Sequence, residues 1–184
     1  KFTSNKFIST LYGISFFRRI LHRIASKKLM TAFGGRVRFL GIGGSKLHID
    51  TETFLHEGGF PYAIGYGLTE TAPMAAGQIP GVCRIGSTGP AMQGVQIRLD
   101  NVNPETGLGE VVINSPSVMQ GYYKNPEATA EVFTEDGWFR SGDLGEFDKD
   151  GYLYIKGRLK NMILGPSGEN IYPEDIESVL NTHA

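Results

Sequence analysis

The chain of 184 residues carries a single cysteine, Cys83. No intramolecular disulfide can form, and no Cys-based zinc cage can be built. The four histidines (His22, His48, His56, His183) stand far apart, without the spacing of metal ligands. No stretch approaches the ~18 consecutive apolar residues of a membrane span. The basic opening residues are not followed by an apolar core and a small-residue cleavage site, so they do not read as a signal peptide. Together these absences fit a reducing compartment, and the expected location is the cytoplasm. Acid is missing from the first 49 residues, which hold ten Lys/Arg; residues 50–184 hold eight Lys/Arg and all nineteen Asp/Glu. A near-neutral total of -1 therefore hides a +10 segment and a -11 segment. Such a basic segment can meet nucleic acid, anionic lipid or the protein's own acidic part.

What is abundant is glycine, 25 residues, about twice the usual ~7%. The glycines show no triplet period, so they signal tight turns. Residues 4–33 read as helical: Phe7, Leu11, Ile14, Phe17, Leu21 and Ile24 recur every three or four positions. Gly13 and Ser15 suggest a break with a second cap, and Gly34-Gly35 a stop. A basic amphipathic helix of this kind can lie on a membrane or form an outer helix of an α/β domain. Arg36–Ile42 reads as a strand, Asp50 or Thr51 as the cap of a short helix to about His56, and Tyr62–Tyr66 as a second strand. That order is a βαβ unit with a parallel pair. Beyond residue 83 the pattern changes to short alternating strands, Val95–Leu99, Glu110–Ile113 and Tyr152–Ile155, between turn-rich clusters. These predict a small antiparallel sheet or barrel. Pro126 stands at the first position of a short helix over Asn125–Val132.

The stretch Gly65-Tyr66-Gly67-Leu68-Thr69-Glu70-Thr71 carries chemistry. Its glycines allow close backbone approach, Tyr66 offers an aromatic face, Thr69 a hydroxyl, and Glu70 a hard oxygen suited to Mg²⁺. Read alone, it is a turn that ends a strand. It is followed in order by Gly-Glu-Val-Val-Ile (109–113), Gly-Tyr-Tyr-Lys-Asn-Pro-Glu-Ala-Thr (121–129) and Gly-Trp-Phe-Arg-Ser-Gly-Asp-Leu-Gly (137–145). Asp-Gly-Tyr-Leu-Tyr-Ile-Lys-Gly-Arg-Leu-Lys-Asn-Met-Ile (150–163) and Gly-Glu-Asn-Ile-Tyr-Pro-Glu-Asp-Ile-Glu (168–177) complete the set. In this order and spacing, over residues 36–180, the sequence resembles the acyl-adenylate-forming superfamily of acyl-CoA synthetases, luciferases and peptide-synthetase adenylation domains. It looks most like the long-chain fatty acyl-CoA synthetases.

The resemblance implies roles residue by residue. Gly43, Gly44 and Ser45 correspond to the glycine turn beside the adenine and the acyl pocket. Tyr66 corresponds to the aromatic that stacks on adenine, followed by Gly67 and Leu68 in the nucleotide-binding run. Thr69 would hydrogen-bond phosphate and Glu70 would hold Mg²⁺, the two together forming the catalytic pair. Asp143 would accept both ribose hydroxyls, as an acceptor-only carboxylate can, and Arg158 would contact ribose and phosphate. Lys160 falls at the hinge between large and small domains, and Gly168 on the side that receives CoA. Each has a structural alternative: an Asx turn for Asp143, a helix-entry carboxylate for Glu70, a solvated turn for Arg158 and Lys160, a turn glycine for Gly168. Trp138, Phe139, Tyr122 and Tyr123 read as packing residues.

The expected architecture is α/β. Residues 1–82 form the α/β part of a large domain with a βαβ parallel-sheet portion. Residues 83–159 form a small antiparallel β-barrel, and residues 160–184 the hinge and the start of a small α+β C-terminal domain. The family's phosphate loop and its terminal catalytic lysine match nothing in this sequence, which therefore reads as an internal fragment, inactive alone and prone to self-association. The resemblance implies ATP, Mg²⁺ and CoA as cosubstrates and metal, a fatty acid as substrate, and no nucleic acid. Peripheral membrane contact would run through residues 4–33. The rival readings are an adenylation domain loading a carrier protein and a non-catalytic AMP- or acyl-binding fragment. The small residues after Glu70 (Thr71 to Ala76) leave room for an acyl tunnel.

Overall fold

The structure is a computed structural model that describes residues 12–164 together with 170, 171, 173, 176 and 180. The chain divides into two compact units, 1–63 with 79–86, and 64–78 with 87–184.

In the first unit, helix α1 (Ser15–Ala32) follows a bend at Ile14, as the Gly13 break predicts, but no side chain caps it. It ends at Gly34 and Gly35, both with positive φ (84° and 73°). The Gly35 N–H donates to Met30 O at 2.8 Å, which satisfies a carbonyl of the last turn. Strand β1 (Leu40–Ile42) is shorter than the run from Arg36 suggests. Helix α2 (Ile49–Glu57) is capped by His48, not by Asp50 or Thr51: His48 Nδ1 accepts the Asp50 N–H at 3.2 Å. Asp50 thereby enters the first turn, where a carboxylate opposes the helix dipole favourably. Strand β2 (Tyr62–Gly67) begins beside β1, with the Leu40 N–H donating to Pro61 O at 2.8 Å. The strand–helix–strand order read from the sequence is present.

Helix α1 packs by its polar face. His22 and Ser26 are its buried residues, while Phe16, Phe17, Ile20, Leu21 and Ile24 are exposed. Arg18 forks onto Glu57 of α2 with contacts of 2.9 Å (Nε) and 2.6 Å (Nη2). His22 Nδ1 lies 2.8 Å from Glu57 Oε2, the oxygen that Arg18 Nε also meets, and its ring meets Phe54 edge-on at 5.3 Å. A Cβ at Gly58 would stand 2.7 Å from the Ser26 Cβ, so this glycine sets how closely the two helices approach. Beneath them Leu55, Phe60, Tyr62, Ala63 and Cys83 are buried. Buried Glu52 ties the unit's second segment in, accepting the Gly86 N–H at 2.9 Å and the Tyr62 hydroxyl at 3.3 Å. Burial pushes its carboxyl pKa up.

In the second unit, the end of β2 pairs antiparallel with β3 (Met74–Gly77). Four further strands form an antiparallel sheet in chain order: β4 (Gln96–Asp100), β5 (Gly109–Asn114), β6 (Phe139–Phe147) and β7 (Leu153–Arg158). A short helix α3 (Pro126–Glu131) lies between β5 and β6, capped by Asn125 Oδ1 on the Ala128 N–H. The expected barrel is not there: among the described residues the sheet stays open. Closure would require β7 to meet β4, but the outer edge of β7 is taken by Gly89, whose neighbour Ala91 bridges to Ala76 of β3. The core of the unit is Ala75, Ala76, Val111, Ile113 and Leu153, each fully buried. Ala75 and Ala76, expected beside an acyl tunnel, are thus packing residues of β3. A two-stranded ribbon, β8 (Ile163–Leu164) with β9 (Asn170–Ile171), follows the 3₁₀ turn Leu159–Asn161. From Pro173 the sequence also predicts a helix over Glu174–Leu180; Ile176 and Leu180 of it are described and helical, and the rest of that stretch and most of the 165–184 segment lie outside the described residues. No helix among the described residues is long and apolar enough to cross a membrane.

Candidate active site

Three strands of the second unit bring three of the predicted residues to one carboxylate. Tyr66 lies near the end of β2, Asp143 in β6, and Arg158 at the end of β7 directly opposite Asp143 in register. The Tyr66 hydroxyl donates to Asp143 Oδ2 at 2.7 Å. Arg158 Nε lies 3.0 Å from Asp143 Oδ1. The Asp143 side chain is 6% exposed and that of Arg158 is 57% exposed, so a buried anion is met by a cation that stays largely in solvent. The Asp143 N–H donates to Ser141 Oγ at 3.0 Å, and Ser141 in turn donates to Val111 O at 2.7 Å. Burial, then the adjoining Asp143 charge, pushes the Tyr66 hydroxyl pKa far above its ordinary value, so it stays a proton donor.

The strand that holds Asp143 was not legible as one. Ser-Gly-Asp-Leu-Gly is poor in β-forming residues, and Gly142 adopts a positive φ of 70°. Pairing on both sides, with β5 and β7, imposes the extended form, with register shifts on each side next to the Asp143–Leu144 pair.

Thr69, Glu70 and Thr71 form a 3₁₀ turn directly after β2 and Leu68. Buried Thr71 anchors it: its Oγ1 accepts the Leu68 N–H at 3.0 Å and its hydrogen reaches Leu68 O at 2.9 Å or Pro73 O at 2.8 Å. Thr69 is exposed and Glu70 half-buried. The Glu70 carbonyl accepts the Met119 N–H at 2.8 Å, and Glu70 Oε1 accepts the Tyr122 hydroxyl at 2.9 Å. Ser117 Oγ donates to Thr71 O at 2.9 Å. The turn is therefore held by residues 117–122, a partnership that sequence reading missed. The only signal for it was the Gly-Tyr-Tyr start of the second motif. Gly67 turns out to be required by the protein itself: a Cβ there would overlap the Pro73 carbonyl oxygen.

Gly43, Gly44 and Ser45 follow β1 in the first unit as an exposed turn, with Gly44 at φ 84°. Lys160 sits exposed in the 3₁₀ turn after β7. Gly168 lies outside the described residues. Phe139 is buried, and Trp138 carries the Arg98 guanidinium over its ring at 4.4 Å, so both pack.

Among the described residues no three His, Cys, Asp or Glu side chains gather as a metal cage. Glu70 presents one half-buried carboxylate on a fixed turn, the type of donor that can hold Mg²⁺ together with substrate phosphates and water.

The AMP-binding enzyme family matches residues 10–123. Long-chain-fatty-acid–CoA ligase 1 of Saccharomyces cerevisiae is 34% identical over 195 residues, covering 99% of this chain and 28% of that protein. Feruloyl-CoA synthase of an Amycolatopsis species is 39% identical over 150 residues, covering 78% of this chain and 30% of that protein. The o-succinylbenzoate CoA synthetase of Bacillus subtilis, solved with its acyl-adenylate intermediate, superposes with a TM-score of 0.74 at 32% identity, over 80% of this chain and 31% of that one. The same enzyme solved with ATP and magnesium gives 0.71 at 28% identity, over 85% of this chain and 35% of that one. The chain spans under a third of the length of these two curated relatives. With these ordered motifs, this match and these neighbours, the chain belongs to the AMP-binding enzyme family.

Proposed function

We propose that the complete protein activates a carboxylic acid with ATP and passes it to CoA. A carboxylate oxygen attacks the α-phosphorus of ATP; the bond to pyrophosphate breaks and an acyl-adenylate forms. The CoA thiolate then attacks the acyl carbon, and AMP leaves with the electron pair of the broken acyl–oxygen bond. The Tyr66 ring faces the adenine, and Gly43, Gly44 and Ser45 supply the glycine turn for base and acyl group. Asp143 accepts the ribose hydroxyls and Arg158 places a cation at ribose and phosphate. Thr69 donates to phosphate. Glu70 holds Mg²⁺, which when bound offsets phosphate charge. Lys160 is the hinge at which the small domain of 160–184 begins, and Gly168 faces CoA. The observation that carries the reading is the meeting of Tyr66, Asp143 and Arg158, drawn from three strands and 92 positions of sequence, at one buried carboxylate.

The substrate we infer is a long-chain fatty acid, supported by the yeast ligase that matches nearly the whole chain. An aryl acid is the second reading, supported by the feruloyl-CoA synthase match. ATP–pyrophosphate exchange by the complete protein over a panel of fatty, aryl and short acids tests both. Exchange with none of them refutes the activity, and the acid that drives it identifies the class. The exposed apolar face of α1, with Arg19, Arg23 and Lys27 also exposed, fits an outer layer of the domain or an anionic membrane surface. Sedimentation with anionic vesicles separates these, because electrostatic binding weakens as the Debye length falls from ~10 Å at 0.1 M salt to ~3 Å at 1 M.

A further inference from the structure

We propose that Tyr66 is a positioning residue whose hydroxyl holds the Asp143 carboxylate in the orientation that receives the ribose of the nucleotide. This rests on the reading of Asp143 given above and adds a role for the hydroxyl distinct from that of the ring. The geometry has three parts. The carboxylate is buried, so its orientation is fixed by protein donors rather than by bulk water. Its two oxygens are met from different strands: Oδ2 by the Tyr66 hydroxyl at 2.7 Å and Oδ1 by Arg158 Nε at 3.0 Å. Its backbone is pinned through Ser141 to Val111 of β5.

The two side-chain donors are unequal. Arg158 is mostly in solvent and keeps its long chain's freedom, whereas Tyr66 is half-buried and has only two torsions to fix. Remove the hydroxyl and a buried acceptor loses a partner, which costs more than an exposed one would lose. The carboxylate then turns toward Arg158 or admits water, and in either case leaves the ribose-ready orientation. Phenylalanine keeps the ring and removes only the hydroxyl, so stacking and positioning separate cleanly. Burial beside Asp143 keeps the hydroxyl a proton donor to that carboxylate.

The test is calorimetric titration of the complete protein with ATP and with 2′,3′-dideoxy-ATP, for wild type, Tyr66→Phe, Asp143→Asn and the double variant. Comparing two nucleotides on the same preparation cancels any difference in the folded fraction. The expected result is a loss on the order of tenfold in ATP affinity for Tyr66→Phe, little loss for the dideoxy nucleotide, and no further loss when the change is added to Asp143→Asn. Equal losses for both nucleotides would place the hydroxyl's effect on the base or the fold and overturn the proposal. An additive double variant would overturn it as well. If Asp143→Asn itself leaves the preference for ATP over the dideoxy nucleotide intact, the ribose reading falls and this inference falls with it, a result recognisable from that variant alone.

Discussion

At the scale of single residues, each of the two candidate carboxylates accepts a tyrosine hydroxyl: Asp143 that of Tyr66 and Glu70 that of Tyr122. Replacing Asp143 by Asn keeps its shape and removes charge-assisted acceptance. ATP affinity is expected to fall by about 1–3 kcal/mol, read by nucleotide titration; unchanged affinity would remove Asp143 from the site. Glu70→Gln tests the other carboxylate. A metal ligand acts in adenylation, so pyrophosphate exchange should fall well before thioester formation from supplied acyl-adenylate. Equal losses in the two half-reactions would make Glu70 a structural residue. Away from the site, Glu57 carries an acid-sensitive contact. Its hydrogen bonds from Arg18 hold its carboxyl below the ordinary range. A depressed folded pKa means the stabilisation is complete above the unfolded value and is lost as pH falls through the folded one. Melting temperature should therefore drop more steeply below pH 4.5 in wild type than in Glu57→Gln, and parallel curves would rule the contact out as a source of acid lability.

At the scale of elements, the β2–β3 hairpin places the Thr69–Glu70 turn, and its close approaches are backbone against backbone. Gly89, at φ 94°, lies where a Cβ would collide with the Gly77 carbonyl. Gly89→Ala combines that overlap with a strained backbone and should destabilise by at least about 1–3 kcal/mol, measured by chemical denaturation. Wild-type stability would show that the segment joining β3 to β7 tolerates displacement. Glycine at this position serves the sheet, and Gly67 is likewise demanded by the close approach of the Pro73 carbonyl. Helix α1 teaches the opposite lesson about periodicity. Of its predicted apolar stripe, Phe7 and Leu11 lie outside the described residues; Ile14, Phe17, Leu21 and Ile24 are exposed, and the contact to α2 is made through Arg18, His22 and Ser26.

At the scale of the whole chain, 184 residues match the family over lengths that are under a third of the curated relatives. In the resemblance, Gly41–Lys46, the stretch that ends in lysine, corresponds to the later glycine turn and not to the loop that cradles pyrophosphate. Losing one preorganised donor of transition-state charge costs ~10²–10³ in rate. The 184-residue chain by itself should thus form no measurable acyl-CoA from ATP, Mg²⁺, CoA and a fatty acid, and turnover near that of the complete protein would overturn this placement of the motifs. Phe16, Phe17, Ile20, Leu21 and Ile24 expose a contiguous apolar surface on α1. Patches of this kind drive association, so light scattering should show the isolated chain growing in mass with concentration, and a constant monomer mass would count against it.

The sequence by itself determined the order of motifs, and with it the family. It also settled the elements whose signals are local: the Gly34-Gly35 stop, the Asn125–Pro126 helix start, and the strands β4 and β5, of which β5 is buried on both faces rather than alternating. These depend on backbone torsions and neighbours a few positions away, which a sequence states directly. Only the tertiary structure decided that Phe139–Phe147 is a strand, because its glycines, serine and aspartate become extended through partners in β5 and β7. It likewise decided that the sheet stays open, because the edge of β7 is occupied by a residue 64 positions away. The partners of Asp143 and Glu70 belong to the same class. A hydrogen bond between positions 66 and 143, or 70 and 122, is set by strand register and turn geometry. Neither residue's local sequence carries the other's address.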